Sequence, residues 1–336
     1  AYGCPGVRTP HLDRLAASGV SFMQSHSTNP VCSPARSSMF TGRMPSETGV
    51  VKNGRPIRND VPNMGQLLGQ NGYDCVYVGK WHVPQSYTRF IPGFSVIPVG
   101  NNGHGTLLDR SVSRACQGFL RNRGGDGPFL MVASFLQPHD VCQWTSMHKQ
   151  APDELPYPEI AGELPPLPPN FRFDPEEPKT IANQRKSQRT DWSELQWRYY
   201  IWSYYRMIEE VDAEIGRVLQ ALEDSGQAEN TVVVFTSDHG EGRGRHQMIV
   251  KNYLYEEALK IDSEKLGAEH PERLKVMNNL ASAYYSAGRM DRALPIFERT
   301  LEIRKRTLGA EDPSTLLSMN HLALTYQAAG RLDDAL

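Results

Sequence analysis

Apolar positions follow two different rhythms along the chain, and the change comes near residue 253. In the first part, Asp74–Gly79 (DCVYVG), Phe129–Phe135 (FLMVASF) and Thr231–Thr236 (TVVVFT) are short apolar runs bounded by turn residues. Runs of that length and make-up predict buried strands. Between them the spacing is helical. Thr9-Pro10 followed by Leu12, Leu15 and Ala16, closing at Gly19, predicts a short capped helix. From Trp192 to Asp224, Leu195, Tyr199, Trp202, Ile208, Val211, Ile215, Val218 and Leu222 keep near-helical spacing. Continuous apolar strands separated by helices imply a mostly parallel sheet covered on both faces, so the expected fold class is α/β, doubly wound. Nine prolines between Pro152 and Pro178 are too many for regular structure and predict a surface loop or linker.

After residue 253 the chain repeats itself. Leu266-Gly-Ala-Glu-His-Pro271 recurs as Leu308-Gly-Ala-Glu-Asp-Pro313, an offset of 42. At the same offset Leu280, Ala281, Tyr284, Gly288, Arg289, Asp291, Ala293 and Leu294 recur as Leu322, Ala323, Tyr326, Gly330, Arg331, Asp333, Ala335 and Leu336. Small residues at fixed places let paired helices pack closely, so this part is read as an α-helical repeat. The expected division is residues 1–252 and 253–336. A length of 336 residues accommodates both.

Composition narrows the function classes. Thirty-six Lys and Arg against 38 Asp and Glu give a net charge of −2, which offers no general reason to bind nucleic acid or an anionic membrane. The apolar runs fall far short of the roughly 20 residues that span a bilayer. Five cysteines without CxxC spacing exclude a disulfide-built miniature fold and a Cys-rich zinc module. The chain starts at Ala1 and stops at Leu336 in mid-repeat, so both ends read as cut.

The sharpest motif is Cys32-Ser-Pro34-Ala-Arg36-Ser-Ser38 followed by Thr41-Gly-Arg43. One reading makes Cys32 a small buried hydrophobe at a helix start, with Pro34 a first-turn proline. The other makes it chemical, because a helix N-terminus presents N–H groups and positive potential to an anion. Lys80 and His82, in Gly79-Lys-Trp-His82, follow the first predicted strand. His139, in Gln137-Pro-His139, follows the second, and Ser237-Asp238-His239-Gly-Glu241 follows the third. Open α/β sheets place their ligand crevice at such strand ends. Lys251 opens Lys-Asn-Tyr-Leu-Tyr-Glu-Glu-Ala258.

This set, in this order, resembles the formylglycine-dependent sulfatases of the alkaline phosphatase superfamily, over residues 1 to about 258. The resemblance implies that Cys32 is converted to formylglycine by a formylglycine-generating enzyme. It implies that Arg36 orients the hydrate and that His82 assists there. Lys80 and Lys251 would contact sulfate oxygens, and His139 would protonate the leaving alcohol. Asp238, His239 and residue 32 would hold a divalent metal ion, Ca²⁺ favoured, with Mg²⁺ and Mn²⁺ as alternatives. The expected activity is hydrolysis of a sulfate ester on a small molecule or carbohydrate, and the resemblance favours an exported or periplasmic location.

Two family features are missing, namely a first apolar strand ending in adjacent Asp residues and the later strands with the C-terminal subdomain. The chain as it stands is therefore expected to be a poor enzyme. The 42-residue unit resembles the tetratricopeptide repeat of kinesin light chains, which implies a protein partner. Tyr253–Ile261 fits both patterns, as a recombination or assembly error would leave it. Rival readings are a formylglycine-dependent phosphonate or phosphodiester hydrolase, and a repeat scaffold with an inactive sulfatase remnant. His11, His26, His104 and His148 are read as structural, and His246 equally as site or loop. Arg243 and Arg245 are read as exposed loop arginines.

Overall fold

A computed structural model describes residues 4–23, 25–100, 104–124, 127–147, 158–172, 192–249, 251, 269, 271–286 and 289–331. In chain order the first unit contains α1 (Pro10–Ala17), α2 (Cys32–Thr41), α3 (Pro45–Thr48), α4 (Met64–Gly69), β1 (Asp74–Gly79), β2 (Ser95–Ile97), α5 (Gly105–Asn122), β3 (Phe129–Ser134), α6 (Val141–Met147) and α7 (Glu194–Asp224). The second unit contains α8 (Pro271–Ser286), α9 (Met290–Leu308) and α10 (Pro313–Ala328).

Among the described residues one sheet forms, with strand order β2-β1-β3 and both pairings parallel. The central strand takes its place because both of its faces are apolar. Side chains alternate across a strand. Val76 and Val78 face Leu108, Val112, Cys116 and Leu120 of α5 and Val218, Ala221 and Leu222 of α7. Cys75 and Tyr77 face Phe40 of α2, Met64 and Leu68 of α4, and Trp81 and Phe94. The sheet is thus covered by helices on both sides, as the pattern implied. Chain leaving β1 and β3 emerges at the same sheet edge, since Gly79 pairs with Ser134.

The long helix is found at α7, opened by Ser193, whose hydroxyl accepts the Gln196 N–H at 3.3 Å while Gln196 Oε1 accepts the Ser193 N–H at 2.8 Å. The α1 helix is also found, but its cap differs from expectation. Thr9 Oγ1 turns to Asp13 Oδ1, and the buried carboxylate of Asp212 on α7 accepts the N–H groups of His11 and Leu12 at 3.2 and 2.8 Å. Part of the proline-rich stretch packs rather than links. Pro158–Glu163 makes a 3-10 turn, and the carbonyls of Leu164 and Pro165 accept from Arg198 of α7.

One strand expectation fails. Residues 231–236 carry no sheet pairing, and Val232 and Val234 are 89% and 79% exposed. A strand is stabilised by the neighbour it pairs with, and here no described strand lies alongside. Apolar β-branched composition by itself did not bury the segment.

In the second unit, Pro271 and Pro313 begin α8 and α10, so the 42-residue offset marks equivalent helix starts. Ala281 and Ala293 are fully buried with Phe297, giving α8 and α9 their close contact. The double-reading segment Tyr253–Ile261, and the first copy of the repeat up to Ala268, lie outside the described residues.

Gly79 ends β1 at φ +104°, and a Cβ there would lie 2.1 Å from the Ser134 carbonyl oxygen. Gly79→Ala is therefore expected to cost about 2–4 kcal/mol, read as a lower urea midpoint. A midpoint within a few tenths of the parent would show that the β1–β3 join is looser than described.

Candidate active site

Cys32 is the first residue of α2 and is 1% exposed. Val31 before it is extended and supplies no side-chain cap, so the helix opens directly toward the site. Around the Cys32 Sγ stand His239 Nε2 at 3.2 Å, Lys251 Nζ at 3.0 Å and Lys80 Nζ at 3.9 Å. Burial opposes ionisation of this thiol. Hydrogen bonds from His239 and His82 and the charges of Lys80 and Lys251 outweigh it, holding the thiol down at about 4. Burial and nearby Arg36 depress the Lys80 ammonium, whereas contact with the Cys32 sulfur outweighs burial and raises that of Lys251.

Arg36, one turn along α2, is 5% exposed and turned into the sheet end. Nε donates to the Trp81 carbonyl at 2.8 Å, and Nη2 reaches Tyr77 Oη at 2.9 Å. Nη2 also reaches the Lys80 carbonyl and Ser134 Oγ, each at 2.5 Å. Nη1 lies 3.4 Å from Asp238 Oδ2. This one guanidinium therefore ties α2 to the ends of β1 and β3 and to the segment carrying Asp238.

His82 holds a left-handed backbone, φ 60°, which a residue with a Cβ adopts at some cost. Its carbonyl accepts Ser33 Oγ at 2.5 Å and its N–H donates to Ser86, which fixes the residue beside the start of α2. His139 sits in the turn after β3, and burial together with Lys80 and Lys251 pushes its imidazole down to about 4. Asp238 is anchored by Ser27 Oγ, which donates to its carbonyl at 2.7 Å. Burial opposes ionisation of its carboxyl, but His239, Arg36 and Lys80 outweigh that and keep it below the usual range.

Every predicted site residue, Cys32, Arg36, Lys80, His82, His139, Asp238, His239 and Lys251, belongs to this one cluster by contact or by charge. Ligand atoms of Cys32, Asp238 and His239 lie within 4.8 Å of one another, compact enough to share a metal ion. They would supply only part of a divalent ion's shell, which would need further oxygens to complete it. His11 instead lies against Gly216 of α7, and His104 precedes α5. His246 donates its backbone N–H to the Asn170 carbonyl at 2.7 Å. Arg243 and Arg245 are half-buried rather than exposed.

Several contributors escaped the sequence pattern. Tyr77 and Ser134 hold Arg36, and Asn53 Oδ1 accepts the Ser33 N–H at 2.9 Å. Burial pushes the Glu241 carboxyl up to about 7 against the pull of Lys251 and the Tyr200 hydroxyl. Tyr200 of α7 lies 3.2 Å from Glu241 Oε1 and 3.1 Å from the Ile249 carbonyl, bridging the two segments that carry His239 and Lys251. The polar tip on an otherwise apolar helix stripe was the available signal.

The family model described as Sulfatase matches residues 1–265, and that described as Tetratricopeptide repeat matches 253–305 and 276–336. The chain is similar to the Delta 4,5-hexuronate-2-O-sulfatase of Bacteroides thetaiotaomicron, 29% identical over 275 residues that cover 76% of this chain and 56% of the relative. It is 26% identical to the iduronate 2-sulfatase of Homo sapiens, covering 73% of this chain and 52% of the relative. A solved 2-O GAG sulfatase superposes with TM-score 0.63 at 28% identity, covering 74% of this chain and 56% of that one. The chain spans about half the length of the curated relatives it matches.

Burial holds the thiols of Cys75, Cys116 and Cys142 high, so an acid-range thiolate signal among these and Cys32 belongs to Cys32. Lys251→Met is expected to move that midpoint upward from about 4, followed by ultraviolet thiolate absorbance on the unconverted chain. An unmoved midpoint would remove Lys251 from the cluster.

Proposed function

Because the chain belongs to the sulfatase family through residues 1–265, we propose that its site hydrolyses a sulfate monoester, R–O–SO₃⁻ and water giving R–OH and HSO₄⁻. The observation that carries the reading is the convergence of Lys251, His239 and Lys80 on the side chain of residue 32 at a helix start. Three donors around one buried atom make a place where an anion is welcome and a neutral ligand is not. The Delta 4,5-hexuronate-2-O-sulfatase and iduronate 2-sulfatase relatives are named for uronate sulfates, which supports a sulfated carbohydrate as the substrate.

Converted to formylglycine, residue 32 would supply one hydrate hydroxyl to attack sulfur and a second whose deprotonation later expels sulfate. A formylglycine-generating enzyme is then a required partner. Lys80 and Lys251 hold the sulfate oxygens and take up the charge that grows on them as the S–O(R) bond breaks. His139 gives a proton to the departing alkoxide. Arg36 keeps Asp238, the β1 end and the β3 end in register beneath them. A divalent ion held by Asp238, His239 and residue 32 would supply Lewis-acid polarisation of sulfate. Oxygen donors at residue 32 and Asp238 suit a hard cation such as Ca²⁺. The tetratricopeptide segment supports a protein partner, tested by comparing partners captured with and without residues 262–336.

The decisive experiment co-expresses the chain with a formylglycine-generating enzyme, reads residue 32 by mass spectrometry, and compares hydrolysis of an aryl sulfate and an aryl phosphodiester. Conversion of Cys32 with turnover of the sulfate supports the reading. A chain whose Cys32 stays a thiol, or which cleaves only the phosphodiester, would refute it.

His139 is neutral at pH 7 in the free site, because burial, Lys80 and Lys251 all disfavour its charge. An anion between those lysines reverses their effect, so sulfate is expected to raise the His139 midpoint from about 4, measured by imidazole NMR with and without sulfate. No movement at saturating sulfate would mean that the anion binds elsewhere.

A further inference from the structure

The turn carrying His139 is gripped from a helix that supplies nothing else to the site. Asp109 lies in the second turn of α5 and is 2% exposed. Its Oδ1 accepts the Leu136 N–H at 2.6 Å and its Oδ2 accepts the Gln137 N–H at 2.9 Å. The grip is returned. Asp140 Oδ2 accepts the N–H of Gly105, the first residue of α5, at 2.6 Å, and the Gln137 side-chain amide at 3.0 Å. A carboxylate at that helix end also meets favourable potential. His139 stands between the clamped residues, with its N–H on the Leu136 carbonyl and its carbonyl accepting from Cys142.

A second feature points the same way. A Cβ on Gly105 would lie 2.5 Å from Gln137 Cγ and 2.6 Å from Gln137 Cδ, so the absent side chain is what lets the turn approach α5. Asp109 faces two N–H donors, and the charges of Asp140 and of Glu214 on α7 oppose its own. Glu214 is itself paired with Arg217 and, at 3.9 Å, Arg110. Tyr87 also lies within reach of the Asp109 and Asp140 charges, and His104 within reach of Asp140.

We propose that Asp109 and Asp140 form a reciprocal clamp between α5 and the 136–140 turn that sets the position of His139, with Asp109 the positioning residue. The role rests on the reading of His139 as the proton donor. Burial pushes Asp109 up to about 6, with Asp140 and Glu214 adding to the rise and the Leu136 and Gln137 N–H groups opposing it. A folded pKa above the unfolded one means that ionising Asp109 costs stability as pH rises through about 6. The charge is thus kept at neutral pH for what it holds, while its protonation below that range removes one of the two acceptor sites.

The test follows the His139 ring signal by NMR, with amide exchange at Leu136 and Gln137, in the full chain and in Asp109→Asn. The expected result is faster exchange at both amides and a His139 midpoint raised by about one pH unit or more, as the ring leaves its buried place beside the lysines. The His321 signal, in the repeat unit, should stay put. Gly105→Ala and Asp140→Asn leave Asp109 in place and should produce the same shift, so they decide the matter if Asp109→Asn does not fold. An unmoved His139 midpoint in the folded variants would overturn the clamp. Adding sulfate to the parent chain separates the two readings, since a His139 signal blind to sulfate would mean that the anion binds away from His139 and would leave the clamp standing.

Discussion

Everything at the site hangs on the burial of one guanidinium. Arg36 leaves its helix to donate to the carbonyls of Lys80 and Trp81, to Tyr77 and Ser134, and to reach Asp238. A buried arginine is tolerable only where its donors are met, and here the acceptors are the strand ends themselves. Meeting that requirement brings α2, β1, β3 and the Asp238 segment to one point. Lysine, a single flexible ammonium, lacks the planar fork that reaches so many elements at once.

The second consequence is electrostatic. Lys80, Lys251 and Arg36 stand close together, and their charge shapes each neighbour differently. The two lysines hold the Cys32 thiol down at about 4 against its burial, and they add to burial in pushing the His139 imidazole down to about 4. Burial raises Glu241 to about 7 despite Lys251. A site that gathers three cations favours an anion, whose arrival relieves their repulsion. A scaffold must hold those like charges together beforehand, and backbone carbonyls, Asp238 and the Tyr200 hydroxyl brace the segments that carry them.

Residues 231–236 show what the scaffold does not supply locally. They lead into the Asp238-His239 pair, and they carry three valines and a phenylalanine, yet Val232 and Val234 stand exposed. Val20 and Phe22, which precede the Ser27 anchor of Asp238, are 81% and 79% exposed as well. Among the described residues, the Asp238-His239 side of the site is thus held by hydrogen bonds from Ser27 and Arg36 rather than by a sheet.

The sequence determined much by itself. The short continuous apolar runs specified β1 and β3, and helical spacing specified α7, because both patterns are written in consecutive residues. The 42-residue offset specified equivalent helix starts at Pro271 and Pro313. The motif around Cys32, with Lys80, His82, His139, Asp238, His239 and Lys251, named residues that the fold brings into one cluster. Its supports were not legible. Asp109 and Tyr200 are polar atoms on helical stripes that read as ordinary core, and only the folded chain shows that they face loop N–H groups and carbonyls. Asp212, about 200 residues after α1, took the capping role that Thr9 suggested. Residues 231–236 look like a strand in isolation, but a strand is a pairing between segments, and whether a partner is present is settled only in three dimensions.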